Sequence, residues 1–174
     1  MRTLLALLTA GLLTGCGKPD INDRNLSNLS LNLEDFFEGS TTAHGQFQDL
    51  FGNIQRRFTV DIEGTWDGRV LTLVEDFVYD DGSTEQRIWT LTKTGADTWV
   101  GTAPGVLGEA RGTENGDVFN WGYRIDLPVR KGTTRVRFDD WMWLLSEDRV
   151  LNRAYMHKFG IRIGEAIIIF EKTG

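Results

Sequence analysis

The chain has one cysteine, two histidines and, after residue 13, no long apolar run. A single cysteine excludes an internal disulfide. The histidines, His44 and His157, are far apart in sequence, so a zinc site would need carboxylates at no recognisable spacing. There is no Gly-x-Ser-x-Gly elbow, phosphate-binding glycine loop or dinucleotide fingerprint. There is no basic run either, and 19 Lys and Arg stand against 25 Asp and Glu in 174 residues. An acidic body without a basic stripe argues against nucleic acid as a partner. Nothing in the sequence calls for a cofactor or a metal, and no enzymatic constellation stands out.

What is present begins with an address. Met1-Arg2 is basic, Leu4 to Leu13 is apolar apart from Thr9, and Leu13-Thr14-Gly15-Cys16 closes the stretch. This is the pattern of a secretory signal, and it is too short for a spanning helix of about 20 residues. Leu-Thr-Gly-Cys also resembles the bacterial lipobox. The resemblance implies cleavage before Cys16, lipidation of its thiol and anchoring by acyl chains, which exceed the two-signal threshold for stable attachment. Acylation would also consume a thiol that an oxidising compartment leaves reactive. Gly17 in place of an aspartate favours, by resemblance to enterobacterial sorting, the outer membrane facing the periplasm. The expected organisation is a signal peptide over 1–15, a lipidated tether over 16–35 and one domain over 36–174. Cleavage leaves 159 residues with 18 cationic side chains against 25 anionic ones, enough for a single core.

Leu33 to Gly39 reads as one helical turn stopped by Gly39, with Phe36 and Phe37 placed to plug the domain. From Thr41 onward, runs rich in Val, Ile, Thr and aromatics alternate with glycine-bearing turn signals. Strands are expected over about 41–51, 54–65, 68–79, 84–93, 97–103, 107–114, 117–128, 133–145, 149–158 and 161–172. Trp66-Asp67-Gly68, Asp80-Asp81-Gly82, Lys93-Thr94-Gly95, Glu114-Asn115-Gly116, Arg130-Lys131-Gly132 and Phe159-Gly160 separate them. Such signals suit tight hairpins. Ten strands so joined make an all-β, antiparallel up-and-down meander, and closure into a barrel removes its edges. Strand 54–65 puts Asp61 and Glu63 opposite Phe58, Val60 and Ile62, so its outer face is charged, unlike a lipid-facing band.

Alternation assigns inward faces. The expected sets are Leu71, Leu73, Glu75, Phe77 and Tyr79; Arg87, Trp89 and Leu91; Leu151, Arg153, Tyr155 and His157; and Ile161, Ile163, Glu165, Ile167 and Ile169. Glu75, Arg87, Arg153 and Glu165 would then share one interior, where unpaired charge is costly. They would form an ion-pair network or meet a polar ligand, unless a bulge turns some of them outward. In the ligand reading Arg87 and Arg153 take a head group, and Trp89, Phe77, Tyr79, Tyr155 and Trp121 form the walls. Arg153-Ala154-Tyr155 resembles the Arg-x-Tyr that grips carboxylates in fatty-acid-binding proteins. Asp139 and Asp140 are adjacent on a strand and point to opposite faces, Asp140 sharing the parity of Phe138 and Met142.

Trp66-Asp67-Gly68, Glu75-x-Phe77-x-Tyr79-x-Asp81-Gly82, Arg87-x-Trp89, Leu127-Pro128-Val129, Phe138-Asp139-Asp140-Trp141-Met142, Asn152-Arg153 and Lys158-Phe159-Gly160 follow in order. On these residues the chain resembles an uncharacterised family of bacterial lipoproteins, domain of unknown function 3833, which brings no catalytic or binding residues. The signal plus meander is similar to the calycin group of lipocalins and fatty-acid-binding proteins. It differs from lipocalins in the position of Gly64-Thr65-Trp66 and in having no long C-terminal helix. Three functions follow as expectations. One is a membrane-anchored barrel binding a small amphipathic or lipid-like ligand. The second is an accessory lipoprotein with a filled barrel acting through a protein partner. The third is a hydrolase or isomerase using Asp139, Glu75 or His157.

Overall fold

The computed structural model describes residues 19–23, 27–128 and 132–174; the signal peptide and Cys16 lie outside the described residues. A five-residue helix, α1 (Leu33–Phe37), precedes ten strands: β1 (Gly39–Asp49), β2 (Ile54–Trp66), β3 (Val70–Tyr79), β4 (Thr84–Lys93), β5 (Thr98–Thr102), β6 (Ala110–Asn115), β7 (Val118–Pro128), β8 (Thr133–Ser146), β9 (Arg149–Lys158) and β10 (Ile161–Lys172). Each strand pairs antiparallel with the next, and β10 pairs with β1 to close the barrel. The all-β meander expected from the sequence is therefore the fold, with closure complete.

Alternation drives the packing. On β2, Phe58, Val60, Ile62 and Gly64 are buried while Thr59, Asp61, Glu63 and Thr65 are exposed. The short strands β5 and β6 leave one side of the interior to Trp99, Phe119 and Trp121. Gly112 makes room there, since a Cβ on it would lie 2.4 Å from the Trp121 ring and 2.5 Å from that of Phe119.

One end of the barrel is sealed. Leu31, Leu33, Phe36 and Phe37 are all buried in the main core. The Phe37 ring meets Phe36 edge-on at 4.9 Å and Phe170 at 5.4 Å. The Phe37 carbonyl rests on Gly64, where any Cβ would lie 1.6 Å from the oxygen. Polar contacts hold the seal. Glu114 accepts from the Leu33 amide at 2.8 Å, Lys93 pairs with Glu34, and Lys172 donates to the carbonyls of Asp35, Phe36 and Glu38 at the end of α1. The preceding segment meets the same end: Leu31 donates to the Gly116 carbonyl, Asn115 donates to that of Ile21, and Ile21 packs against the cluster formed by Val118, Trp141 and Tyr155.

The other end is the mouth, bordered by the β1–β2, β3–β4, β5–β6 and β9–β10 connections. Leu50, Phe51, Phe159 and Ile161 are exposed at the tips of two of these hairpins, which are neighbours because β1 pairs with β10. The β9–β10 turn is Phe159-Gly160, flanked by the pair Lys158↔Ile161. Both residues have positive φ, 52° and 79°, the geometry of a tight hairpin turn. Phenylalanine pays a steric cost there that asparagine largely avoids. Phe159→Asn should raise the midpoint of thermal unfolding by about 2–4 °C, the equivalent of ~1 kcal/mol. A lower midpoint would show that the ring contributes contacts that outweigh the strain.

Candidate functional site

Between seal and mouth the barrel encloses a cavity of about 560 Å³, inside the range of roughly 300–1,000 Å³ common for small-molecule sites. Its walls are mostly apolar: Phe58, Val60, Ile62, Leu71, Leu73 and Phe77 on β2 and β3, Trp89 and Leu91 on β4, and Phe138, Met142, Ala154, Ile168 and Phe170 on β8–β10. Leu33 and Phe37 form the floor. No residue of β5 or β6 lines it, because the rings of Trp99, Phe119 and Trp121 occupy that side.

A polar belt crosses this apolar space. On one wall Glu75 and Arg87 are cross-strand neighbours, and Arg87 pairs with Glu85 at 2.6 Å. Glu85 also accepts from the Tyr79 hydroxyl at 2.9 Å. Nearer the mouth the Arg56 guanidinium lies 3.4 Å above the Tyr79 ring and bonds Asp81 and Ser83. From the facing wall come Tyr123 and Asp140, with the Tyr123 hydroxyl 3.5 Å from Asp140 Oδ2. Tyr123 stacks on Phe138 and meets Trp89 edge-on at 5.1 Å, which brings the two halves of the belt together across the interior. Asp140 Oδ1 is buried without a hydrogen-bond partner among the described residues.

Depth in the barrel sets the charge states. Glu75 touches the cavity rather than bulk solvent, and burial pushes its carboxyl up to about 7 against the pull of Arg87, with Glu85 adding to the rise. Asp140 is pushed up to about 8, by burial first and then by the charge of Asp139, against the Tyr123 hydrogen bond. Burial also raises the Tyr123 hydroxyl well above its ordinary value, and that of Tyr79 to about 12. Glu75, Asp140 and the two tyrosines are thus weakened acids, whereas burial of Glu85 is outweighed by Arg87, which holds that carboxyl below its ordinary value.

Of the residues singled out from sequence, Glu75, Arg87, Phe77, Tyr79, Trp89 and Trp121 line the cavity. Arg153, Tyr155 and Glu165 do not, which corrects the expected inward faces of the last two strands. On β9 the inward set is Val150, Asn152, Ala154 and Met156; small and flexible side chains fit there because aromatic rings from other strands fill the middle. On β10 a register shift between Arg162 and Gly164 changes parity, so Ile163 faces in before it and Ala166, Ile168 and Phe170 after it. Glu165 is instead buried on the outer wall, where it accepts from Arg153 at 2.5 Å, Gln48 at 2.7 Å and Arg162 at 2.8 Å. Burial raises its carboxyl, but these partners outweigh it and hold the group below its ordinary value. Both arginines lie over the Tyr155 ring, at 5.1 and 4.5 Å. The single interior network expected from sequence is two clusters, one on each face of the wall.

Sequence reasoning did not select Asp140, Tyr123 or Glu85 for the belt. The parity of Asp140 with Phe138 and Met142, and of Glu85 with Arg87 and Trp89, was the available signal. His157 and Asp139 are not among the cavity-lining residues; Asp139 accepts from Asn120 at 3.1 Å. Among the described residues no group of three His, Cys, Asp or Glu could hold a metal ion.

The model of a family described as protein of unknown function (DUF3833) matches residues 10–172. The chain belongs to the DUF3833 family. No curated protein matches it. Among solved structures, the DUF3833 barrel is similar to the S-type phycobiliprotein lyase CPES from Guillardia theta, with 10% identity and a TM-score of 0.59 over 83% of this chain and 94% of that one. It is also similar to a protein of unknown function from the DUF3598 family of Nostoc punctiforme, with 12% identity and a TM-score of 0.57, covering 91% of this chain and 53% of that one. Rv2717c from M. tuberculosis follows with 15% identity and a TM-score of 0.57 over 79% and 93%. At these identities the likeness concerns the fold alone, a closed antiparallel β-barrel.

The buried acids give the DUF3833 barrel a signed pH dependence. Glu75 and Asp140 keep their protons to higher pH when folded than when unfolded. Between about pH 4 and pH 8 the unfolded chain therefore releases protons that the barrel retains, and stability falls as pH rises. Asp140→Asn should melt within about 2 °C of the native protein at pH 4 and roughly 3–8 °C above it at pH 9. An equal difference at both values would mean that Asp140 is not held protonated by the fold.

Proposed function

We propose that the protein is a membrane-anchored carrier or receptor for a small amphipathic molecule held inside its barrel. The observation that carries this reading is the cavity: about 560 Å³, apolar over most of its wall, sealed at one end by α1 and crossed by few polar groups. A filled barrel acting only through its outer surface would have no use for such a space. Catalysis by the residues the sequence offered is less well supported, because of Asp139, Glu75 and His157 only Glu75 faces the cavity. Native mass spectrometry of the purified protein, followed by extraction, should show a bound small molecule near one equivalent. A protein that is empty and stays empty after incubation with bacterial lipid extract would remove the carrier reading.

The anchor belongs to the same proposal and rests on Met1-Arg2, the apolar run to Leu13 and the Leu-Thr-Gly-Cys closing at Cys16. Cleavage and acylation at Cys16 would place the body outside the cytoplasm, with the outer membrane as the expected site. Cys16→Ser should shift the protein from the membrane pellet to the soluble fraction and abolish incorporation of labelled palmitate. A variant that still sediments and still takes up label would overturn the anchor.

A further inference from the structure

We infer that the ligand presents a hydrogen-bond-donating head, an amine or a hydroxyl, and that the site rejects free carboxylates. This rests on the carrier reading and names the chemical class of its cargo. The charged lining of the cavity is Asp49, Glu75, Glu85 and Asp140 against Arg56 and Arg87, so carboxyl groups outnumber guanidiniums two to one. The charge of each arginine is already met by a carboxylate. Arg87 is paired with Glu85 at 2.6 Å and sits beside Glu75 in register. Arg56 lies on Tyr79 with its amino group turned to Asp81 and Ser83. The residues that resembled a carboxylate grip, Arg153 and Tyr155, are on the outer wall, where Glu165 already takes the guanidinium.

The acids are differently placed. Asp49 is occupied by its own hairpin, accepting from Asn53, Gln55 and the Phe51 amide. Glu85 is shared between Arg87 and Tyr79. Glu75 has no hydrogen bond among those described, and Asp140 has only the long contact from Tyr123 and a buried oxygen with no partner. Acceptors left short of donors in an apolar space are costly, and a donor head placed between Glu75 and Asp140 satisfies both. An alkylammonium also supplies the positive charge the lining lacks, letting those carboxyls ionise. A carboxylate head would instead add negative charge beside Glu75, Glu85 and Asp140 and oppose their ionisation, with the charge of each arginine already met by another carboxylate. The apolar walls then take the hydrocarbon body.

The test is displacement of the neutral fluorophore N-phenyl-1-naphthylamine from the purified protein at pH 7.5 by decylamine, decan-1-ol and decanoic acid, three heads on one chain length. The probe should bind, and decylamine and decanol should displace it at concentrations at least tenfold below decanoate. In the Glu75→Gln/Asp140→Asn double variant, which keeps size and removes charge, decylamine should lose its advantage and decanoate should come within about threefold of it. Decanoate competing as well as the amine and the alcohol on the native protein would overturn the donor-head inference while leaving the carrier reading intact. Unchanged discrimination in a folded double variant would overturn the role of these carboxyls. If neither the probe nor any of the three binds, the carrier reading falls, and this inference falls with it.

Discussion

Closing ten antiparallel strands into a ring fixes how wide the interior must be, and the rest of this protein answers that width. Barrel diameter grows with strand number, and about eight strands already leave an interior that side chains just fill or that holds one small ligand. Two further strands enlarge the space, and the sequence treats its regions differently. Behind the short strands β5 and β6, Trp99, Phe119 and Trp121 fill it. At one end Leu33, Phe36 and Phe37 stop it. What remains is the cavity, and its size follows from the strand count less the volume of these rings.

That same enclosure gives the polar belt its character. A carboxyl on the outside of a sheet keeps its proton only in acid, whereas Glu75 and Asp140, deep in the barrel, are pushed up to about 7 and about 8. Glu165 is buried too, yet three donors from Arg153, Arg162 and Gln48 hold it the other way. The contrast shows that burial alone does not set the charge state. The outer cluster gathers two guanidiniums and one amide on a single carboxylate and knits β1, β9 and β10 together. The inner one leaves Asp140 Oδ1 without a partner and faces two acids with strongly raised values into a cavity, and such perturbed groups in a cleft are expected of a binding surface.

Much of the fold was legible because hairpin turns and two-residue alternation are local signals. All ten strands appear near their expected positions, since glycine-bearing turns mark the ends and each β-rich run is long enough to show its period. The turn of α1 and its phenylalanine plug were readable for the same reason. What could not be read was which face of β9 and β10 looks inward. Both faces of β10 are apolar, with Ile161, Ile163, Ile167 and Ile169 competing against Ala166, Ile168 and Phe170, and the register shift after Arg162 leaves no mark in composition. On β9 the inward face is small, Ala154 and Asn152, because rings reach it from across the barrel, a tertiary fact with no local trace. Asp140 was placed on the correct parity but not read as a cavity group, since the stretch Phe138 to Trp143 alternates apolar residues on both faces.

The route of the chain into the barrel also fixes a direction. Ile21 and Leu31 are both bonded to the β6–β7 turn at the sealed end. The described chain thus joins the barrel at the end opposite the mouth. It is a cup held at its foot, with the rim left clear of the segment that leads into it.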